Sequence, residues 1–230
     1  MNERKWLSFT APLHVQDFVS KRASDRKLRL FTIACCRRIW HLIASEPLRG
    51  AVELAERYAD GKADEDERDL AYRTVQREMV REDFDDRRSI FFAVINAVSP
   101  PPLRWISVSG YTASALQWDA FRRATAAGVR NLPPGLMNVE YAAQAELLRC
   151  ILGNPFRPAT VDLDWLSWSG GTIRSIAQTI YHQHRFAELP VLADALEESG
   201  CTDAHILNHC RQSGEHVRGC WVVDLLLAKS

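Results

Sequence analysis

The stretch Ile173-Arg174-Ser175-Ile176-Ala177-Gln178-Thr179-Ile180-Tyr181 decides the fold class. Its apolar residues fall at i, i+3, i+4, i+7 and i+8, a spacing that lines one side of an α-helix and that a strand cannot use. Working outward, Leu189, Leu192, Ala195 and Leu196 continue in the same manner to Gly200, and Thr202-Asp203 is a cap signature for a short helix reaching Arg211. Far upstream, Ser24-Asp25 opens a segment running to about Ala44. Leu28, Phe31, Cys35, Ile39 and Leu42 share one stripe of it, and Leu30, Ile33 and Trp40 lie on the other side. A helix apolar on two sides belongs between neighbours, so this one is expected at the centre of the N-terminal half. Pro47 suits the first turn of a helix that stops near Gly61, and the acidic run 64–69 suits the start of the next. Ile90 to Val98 is a short apolar helix ended by Ser99-Pro100-Pro101-Pro102. Tyr111 to Ala127 and Val139 to Leu152 read as helices on either side of Asn131-Leu132-Pro133-Pro134-Gly135. Helix and strand compete only at Trp105 to Val108 and in the final apolar run after Cys220.

The expected fold is therefore all-α: a compact multi-helix bundle of about nine to eleven helices, with stacked helical hairpins toward the C-terminus. The triple proline suggests an N-terminal helical part, 1–98, and a C-terminal one, 103–230, joined as one compact unit.

Composition limits the function. The chain has 230 residues, 47% of them apolar and 25% charged, with seven tryptophans spread along its length, which is ample material for a packed interior. Formal net charge is zero, which argues against a nucleic-acid or anionic-membrane partner. Charge is uneven locally. Residues 21–38 carry seven Lys/Arg against one Asp, and residues 62–86 carry ten Asp/Glu against five Lys/Arg. Arg26, Arg37 and Arg38 on the basic helix are the candidate nucleic-acid or anion contacts; pairing of that helix with the acidic segment is the simpler expectation. Met1 to Trp6 has no apolar run behind it, and no apolar stretch approaches the ~20 residues that span a bilayer. A cytoplasmic protein with reduced cysteines follows as the expectation.

The densest chemistry lies near the end, where Cys201, His205, His209, Cys210, His216 and Cys220 fall within twenty positions. Cys210-x5-His216-x3-Cys220 supplies three zinc ligands, and His205 or His209 could add a fourth, so His209, Cys210, His216 and Cys220 form the candidate metal set. The spacing matches none of the paired zinc signatures. On the helix ending at Arg211, Cys210 shares a face with Ile206 and Leu207, while His205 and His209 point to a different flank. The expectation is that the thiols pack, the two histidines stay partly exposed, and no cofactor is held, with zinc as the alternative. Elsewhere, Cys36 has Arg37, Arg38 and His41 nearby but sits beside the apolar stripe, where a thiol is inert, and Cys150 on its apolar helix fares no better. Ser169-Gly170-Gly171-Thr172 reads as a turn with a Thr172 cap rather than a phosphate loop, Asp162 and Asp164 as turn caps, and His182 and His184 point to different faces.

Several stretches carry a resemblance. They are Ser24-Asp25-Arg26-Lys27-Leu28-Arg29-Leu30-Phe31, Cys35-Cys36-Arg37-Arg38-Ile39-Trp40, Ala55-Glu56-Arg57-Tyr58-Ala59-Asp60-Gly61, Gly153-Asn154-Pro155-Phe156-Arg157-Pro158, Leu189-Pro190-Val191-Leu192-Ala193-Asp194-Ala195-Leu196, His209-Cys210-Arg211, and His216-Val217-Arg218-Gly219-Cys220-Trp221-Val222-Val223-Asp224-Leu225-Leu226. Together they are similar to a much-duplicated, uncharacterised family of small helical proteins of planctomycete bacteria. The resemblance covers both ends of the chain well and residues 84–136 poorly. It implies no activity, cofactor or catalytic residue.

With no catalytic constellation in view, the leading expectation is a non-enzymatic helical protein-protein interaction module, with an exposed patch around Trp105 and Trp118 as the interface with another protein. The alternatives are a zinc-stabilised module built on the C-terminal cluster, and an enzyme whose site is assembled from distant residues.

Overall fold

The computed structural model describes residues 1–81, 87–129 and 134–229. Part of the expected Asn131–Gly135 break and the end of the acidic segment lie outside the described residues. Among the described residues the protein is all-α, with thirteen α-helices, more than the nine to eleven expected, and no strand. In chain order these are α1 (Glu3–Ser8), α2 (Gln16–Ser20), α3 (Asp25–Arg38), α4 (Glu46–Ala59), α5 (Glu65–Arg81), α6 (Arg88–Ala97), α7 (Trp105–Ala126), α8 (Leu136–Leu152), α9 (Leu163–Ser167), α10 (Thr172–Gln183), α11 (Leu189–Glu198), α12 (Ala204–Arg211) and α13 (Trp221–Leu226). Both ambiguous stretches are helical: Trp105 starts α7 and Trp221 starts α13. No helix among the described residues is long and apolar enough to cross a membrane.

The chain divides into two compact units, but not at the triple proline. One unit is Phe9–Ala145; the other combines Met1–Ser8 with Glu146–Ser230, so one cut falls inside α8. The prolines stop a helix without stopping packing, because α6 and α7 on either side of them lie against each other and both touch α3.

In the Phe9–Ala145 unit α3 is the central helix, in contact with α4, α6 and α7. Leu28 through Cys36 are all buried, as expected of a helix apolar on two sides. The Ser24 hydroxyl accepts from the Lys27 amide and starts the helix. Asp64 and Glu67 start α5 reciprocally: the Glu67 amide donates to Asp64 Oδ1 at 2.8 Å and the Asp64 amide to Glu67 Oε2 at 3.0 Å. Two buried arginines close α6. Arg29 donates to the carbonyls of Ala97 and Ser99, and Arg68 to that of Val98. These are carbonyls that a helix end leaves without intrahelical partners.

In the other unit α10 packs on α9, α11 and α13, and α12 packs on α11 and α13. Of the stripe that defined the fold class, Ile173, Ala177, Ile180 and Tyr181 are fully buried in its core beside Leu192, Leu196, Ile206 and Val222, and Ile176 is partly buried against it. The N-terminal helix belongs here too. Trp6 is 1% exposed, its indole N–H donates to the Gly153 carbonyl at 3.0 Å, and Glu3 accepts from Asn154 at 2.7 Å.

Candidate metal centre

Four side chains of the C-terminal unit converge. The ligand atoms of Cys150, His209, His216 and Cys220 all lie within 4.8 Å of one another. Local structure explains how each arrives. Cys150 sits in the last turn of α8, which ends when the Gly153 amide bonds back to the Arg149 carbonyl at 2.8 Å with Gly153 at φ +66°. Glycine is required there twice over, by that left-handed φ and because a Cβ would lie 2.9 Å from the Trp221 ring. That close approach sets the start of α13, and with it Cys220, against the end of α8. A turn in which the Cys220 amide donates to the Val217 carbonyl at 2.9 Å, with Gly219 at φ +91°, brings His216 back over the same place. Asp203 caps α12 by accepting from the amides of His205 and Ile206, and His209 projects from that helix.

The distances suit a tetrahedral ion. Zinc–sulfur bonds near 2.3 Å and zinc–nitrogen bonds near 2.0–2.1 Å give a tetrahedron with edges of about 3.3–3.8 Å. Cys150 Sγ lies 3.5 Å from His216 Nδ1, and His209 Nε2 lies 3.3 Å from Cys220 Sγ. Three of the four are buried: Cys150 is 2% exposed, Cys220 0% and His209 8%, and His216 is half-buried. Burial pushes the Cys220 thiol up, but hydrogen bonds with Cys150, His209 and His216 outweigh it and hold the sulfur well below its ordinary value, toward the thiolate that binds metal. Gln212 stands behind His209, with its amide nitrogen position 3.3 Å from Nδ1. With that amide turned over, its oxygen accepts from Nδ1–H, the tautomer that leaves the Nε2 lone pair for a metal. His216 Nε2 is buried without a hydrogen-bond partner.

This arrangement corrects the candidate set at one position. His209, His216 and Cys220 are brought together; Cys210 is not, and Cys150 completes the four. Cys210 is buried among apolar residues on the face of α12 that carries Ile206 and Leu207, where burial pushes its thiol up. Adjacent helical residues differ by about 100°, so His209 and Cys210 cannot face the same centre. His209 is buried rather than partly exposed. His205, one turn earlier, is half-buried, and its ring stacks on Trp221 with centroids 4.7 Å apart.

The other candidates separate cleanly. Arg26, Arg37 and Arg38 do not present an open basic face. Arg26 pairs with Asp60 at 3.3 Å, Arg37 makes two bonds of 3.1 Å to buried Glu56, and Arg38 makes three of 2.8–3.0 Å to buried Glu140. Their partners come from α4, its C-cap and α8 rather than from the acidic segment. Trp105 is no surface residue: it is 2% exposed, donates to Ser20 Oγ at 3.0 Å and meets Phe31 edge-on. Trp118 is 50% exposed beside Phe121 on α7. Cys36 is fully buried, and desolvation pushes its thiol up to about 12. Thr172 is the first residue of α10 rather than its cap, which is Gly171, and its hydroxyl donates to the Ser169 carbonyl. Asp162 caps α9 as expected.

Beside the centre lies a cavity of about 400 Å³, bounded in part by Trp6, Arg149, His205, His209, Gln212 and Trp221. No family model, no curated protein and no solved structure matches the chain.

Proposed function

We propose that the Met1–Ser8 and Glu146–Ser230 unit is a zinc-stabilised module, with one ion held by Cys150, His209, His216 and Cys220 in a structural centre. The observation that carries this reading is the convergence of two thiols and two imidazoles, from α8, α12, the turn before α13 and the N-cap of α13, within 4.8 Å of one another. A Cys2His2 set satisfies zinc with four protein ligands and leaves no open position for a substrate, which favours a structural ion over a catalytic one. Mixed sulfur and nitrogen donors favour zinc over calcium or magnesium, which take oxygen. The ion crosslinks the end of α8 to α12 and the start of α13 and contributes its binding energy to folding.

The test is elemental analysis of the purified protein, followed by cobalt substitution. One zinc per chain, and a cobalt form with tetrahedral d–d bands and thiolate charge-transfer absorption, are expected. A chain that folds identically with and without chelator and takes up no cobalt refutes the reading.

The same geometry supports a second reading, a nucleophilic thiol. Cys220, His209 and Gln212 form a chain in which an imidazole pairs with the sulfur and an amide orients the imidazole. Full burial of Cys220 and the presence of Cys150 and His216 on its other sides favour the metal. Alkylation separates the two readings: a zinc-bound thiolate resists iodoacetamide until chelator is added, and a catalytic thiolate reacts at once. A role in binding another protein, in the cytoplasm of a planctomycete and within the family whose motifs the chain shares, is the wider context proposed for the module. Of its expected interface, Trp118 remains at the surface.

A further inference from the structure

A four-ligand centre this deeply buried requires a route for the ion. Cys150 and Cys220 are closed off and His216 is half-buried but not on the cavity wall, whereas His209 forms part of the wall of the 400 Å³ cavity, together with Gln212 beside it. His205 occupies the same wall one helical turn away, the spacing at which two side chains of a helix stand one above the other. Its ring is held flat against Trp221, and its Nδ1 has no hydrogen-bond partner. Among the described residues, Arg68 Nε and His216 Nε2 share that condition, and neither residue borders the cavity. The carboxylates on the wall are already matched: Glu3 pairs with Arg157 and Glu146 with Arg149. With the ionised groups neutralised in pairs, the wall neither holds nor repels a divalent cation strongly. A neutral imidazole is then the remaining strong donor on the way in.

Resting on the zinc reading above, we propose that this cavity is the passage by which the metal enters and leaves, and that His205 is a transient ligand that hands the ion to His209. His205 is not one of the four resident ligands, so its contribution is to rate and not to affinity. A donor that binds the ion on its path lowers the barrier in both directions and leaves the end states unchanged.

The experiment measures zinc uptake by the metal-free full-length chain and zinc transfer from the loaded chain to a fluorescent chelator, for wild type, His205→Ala and His205→Phe. The phenyl ring preserves stacking on Trp221 but cannot ligate. Both variants are expected to load and release zinc about tenfold more slowly, with equilibrium affinity within about twofold of wild type. Unchanged rates overturn the proposal. So does a phenylalanine variant that behaves as wild type while the alanine variant is slow, since packing alone then explains the effect. Weakened affinity caused by faster release also overturns it, because His205 is then a support of the resident site. Failure of the zinc reading itself is recognised separately, as wild-type protein that binds no stoichiometric metal.

Discussion

The Cys150 sulfur lies 3.5 Å from Nδ1 of His216, although 66 positions separate the two residues in the chain. One occupies the last turn of a helix and the other a turn that precedes a different helix, and between them pass α9, α10, α11 and α12. An ion at this point closes the loop around the core of the C-terminal unit. Ligand removal should therefore act on folding as well as on metal content. Cys150→Ser is expected to weaken zinc affinity by more than about a hundredfold and to lower the thermal midpoint, whereas Cys210→Ser leaves stoichiometric zinc in place. Competition with a chelator of known affinity, run beside thermal melts, reads both effects. Loss of zinc in the Cys210 variant would contradict the assignment.

Gln212 touches no metal, but it orients a ligand through a 3.3 Å contact with His209 Nδ1. Gln212→Ala is expected to reduce zinc affinity by about 10–100-fold, the usual effect of losing such a partner. The cobalt form of this variant should keep its thiolate charge-transfer bands, because both sulfurs remain. If those bands collapse, the residue does more than orient an imidazole.

Gly153 is held at φ +66°, with the Trp221 ring where a side chain would go. Gly153→Ala should destabilise the chain by about 2–3 kcal/mol, since strain and overpacking combine. Gly61 has the same φ of +66° with open space around it, so Gly61→Ala carries strain without the clash and is the control. Denaturant midpoints for the two variants should differ, and only the change at 153 should disturb metal binding.

Arg38 and Glu140 form a bidentate pair, and Glu140 Oε1 also accepts from Gln144, whose amide in turn donates to Thr112. Glu140→Ala takes the paired carboxylate from the Arg38 guanidinium and one acceptor from the Gln144 amide, which keeps its bond to Thr112. The expected loss is about 3 kcal/mol, at the lower end for a broken buried pair because Arg38 retains some solvent contact. Replacing both residues by apolar ones, Arg38→Met with Glu140→Leu, should recover part of that loss. Equilibrium unfolding of the three proteins tests the coupling.

Alkaline pH should probe Cys36. Burial pushes its thiol up to about 12 in the folded chain, from an ordinary value of 9.0. Between those values the unfolded chain gives up the proton and the folded chain keeps it, so stability contributed below pH 9 is lost as pH rises toward 12, by an amount on the order of a few kcal/mol. Arg29, lowered by burial to about 10, pulls in the opposite direction in the upper part of that range. The difference in denaturant midpoint between wild type and Cys36→Ala cancels the arginine and should shrink as pH increases. A constant difference would show that Cys36 ionises freely in the native state.

Helical periodicity alone was enough for the class of fold. The stripe from Ile173 to Tyr181 faces the core along α10, buried except for the partly buried Ile176, and the two-sided helix beginning at Ser24-Asp25 became the centre of its unit, because side-chain spacing on a helix is a local property that survives any arrangement of neighbours. Helical geometry also sets Cys210 and His209 on different flanks of α12, although the candidate set read from the sequence holds both and leaves His209 partly exposed. The replacement for Cys210 was beyond it. Cys150 lies in an unremarkable apolar helix, and only the packing of Trp221 over Gly153 carries that helix end to Cys220. The partners of Arg37 and Arg38 were hidden for the same reason, since charge pattern reveals that arginines need carboxylates but not which ones. Metal sites and buried ion pairs depend on distances between residues remote in the chain, and those distances exist only once the helices have packed.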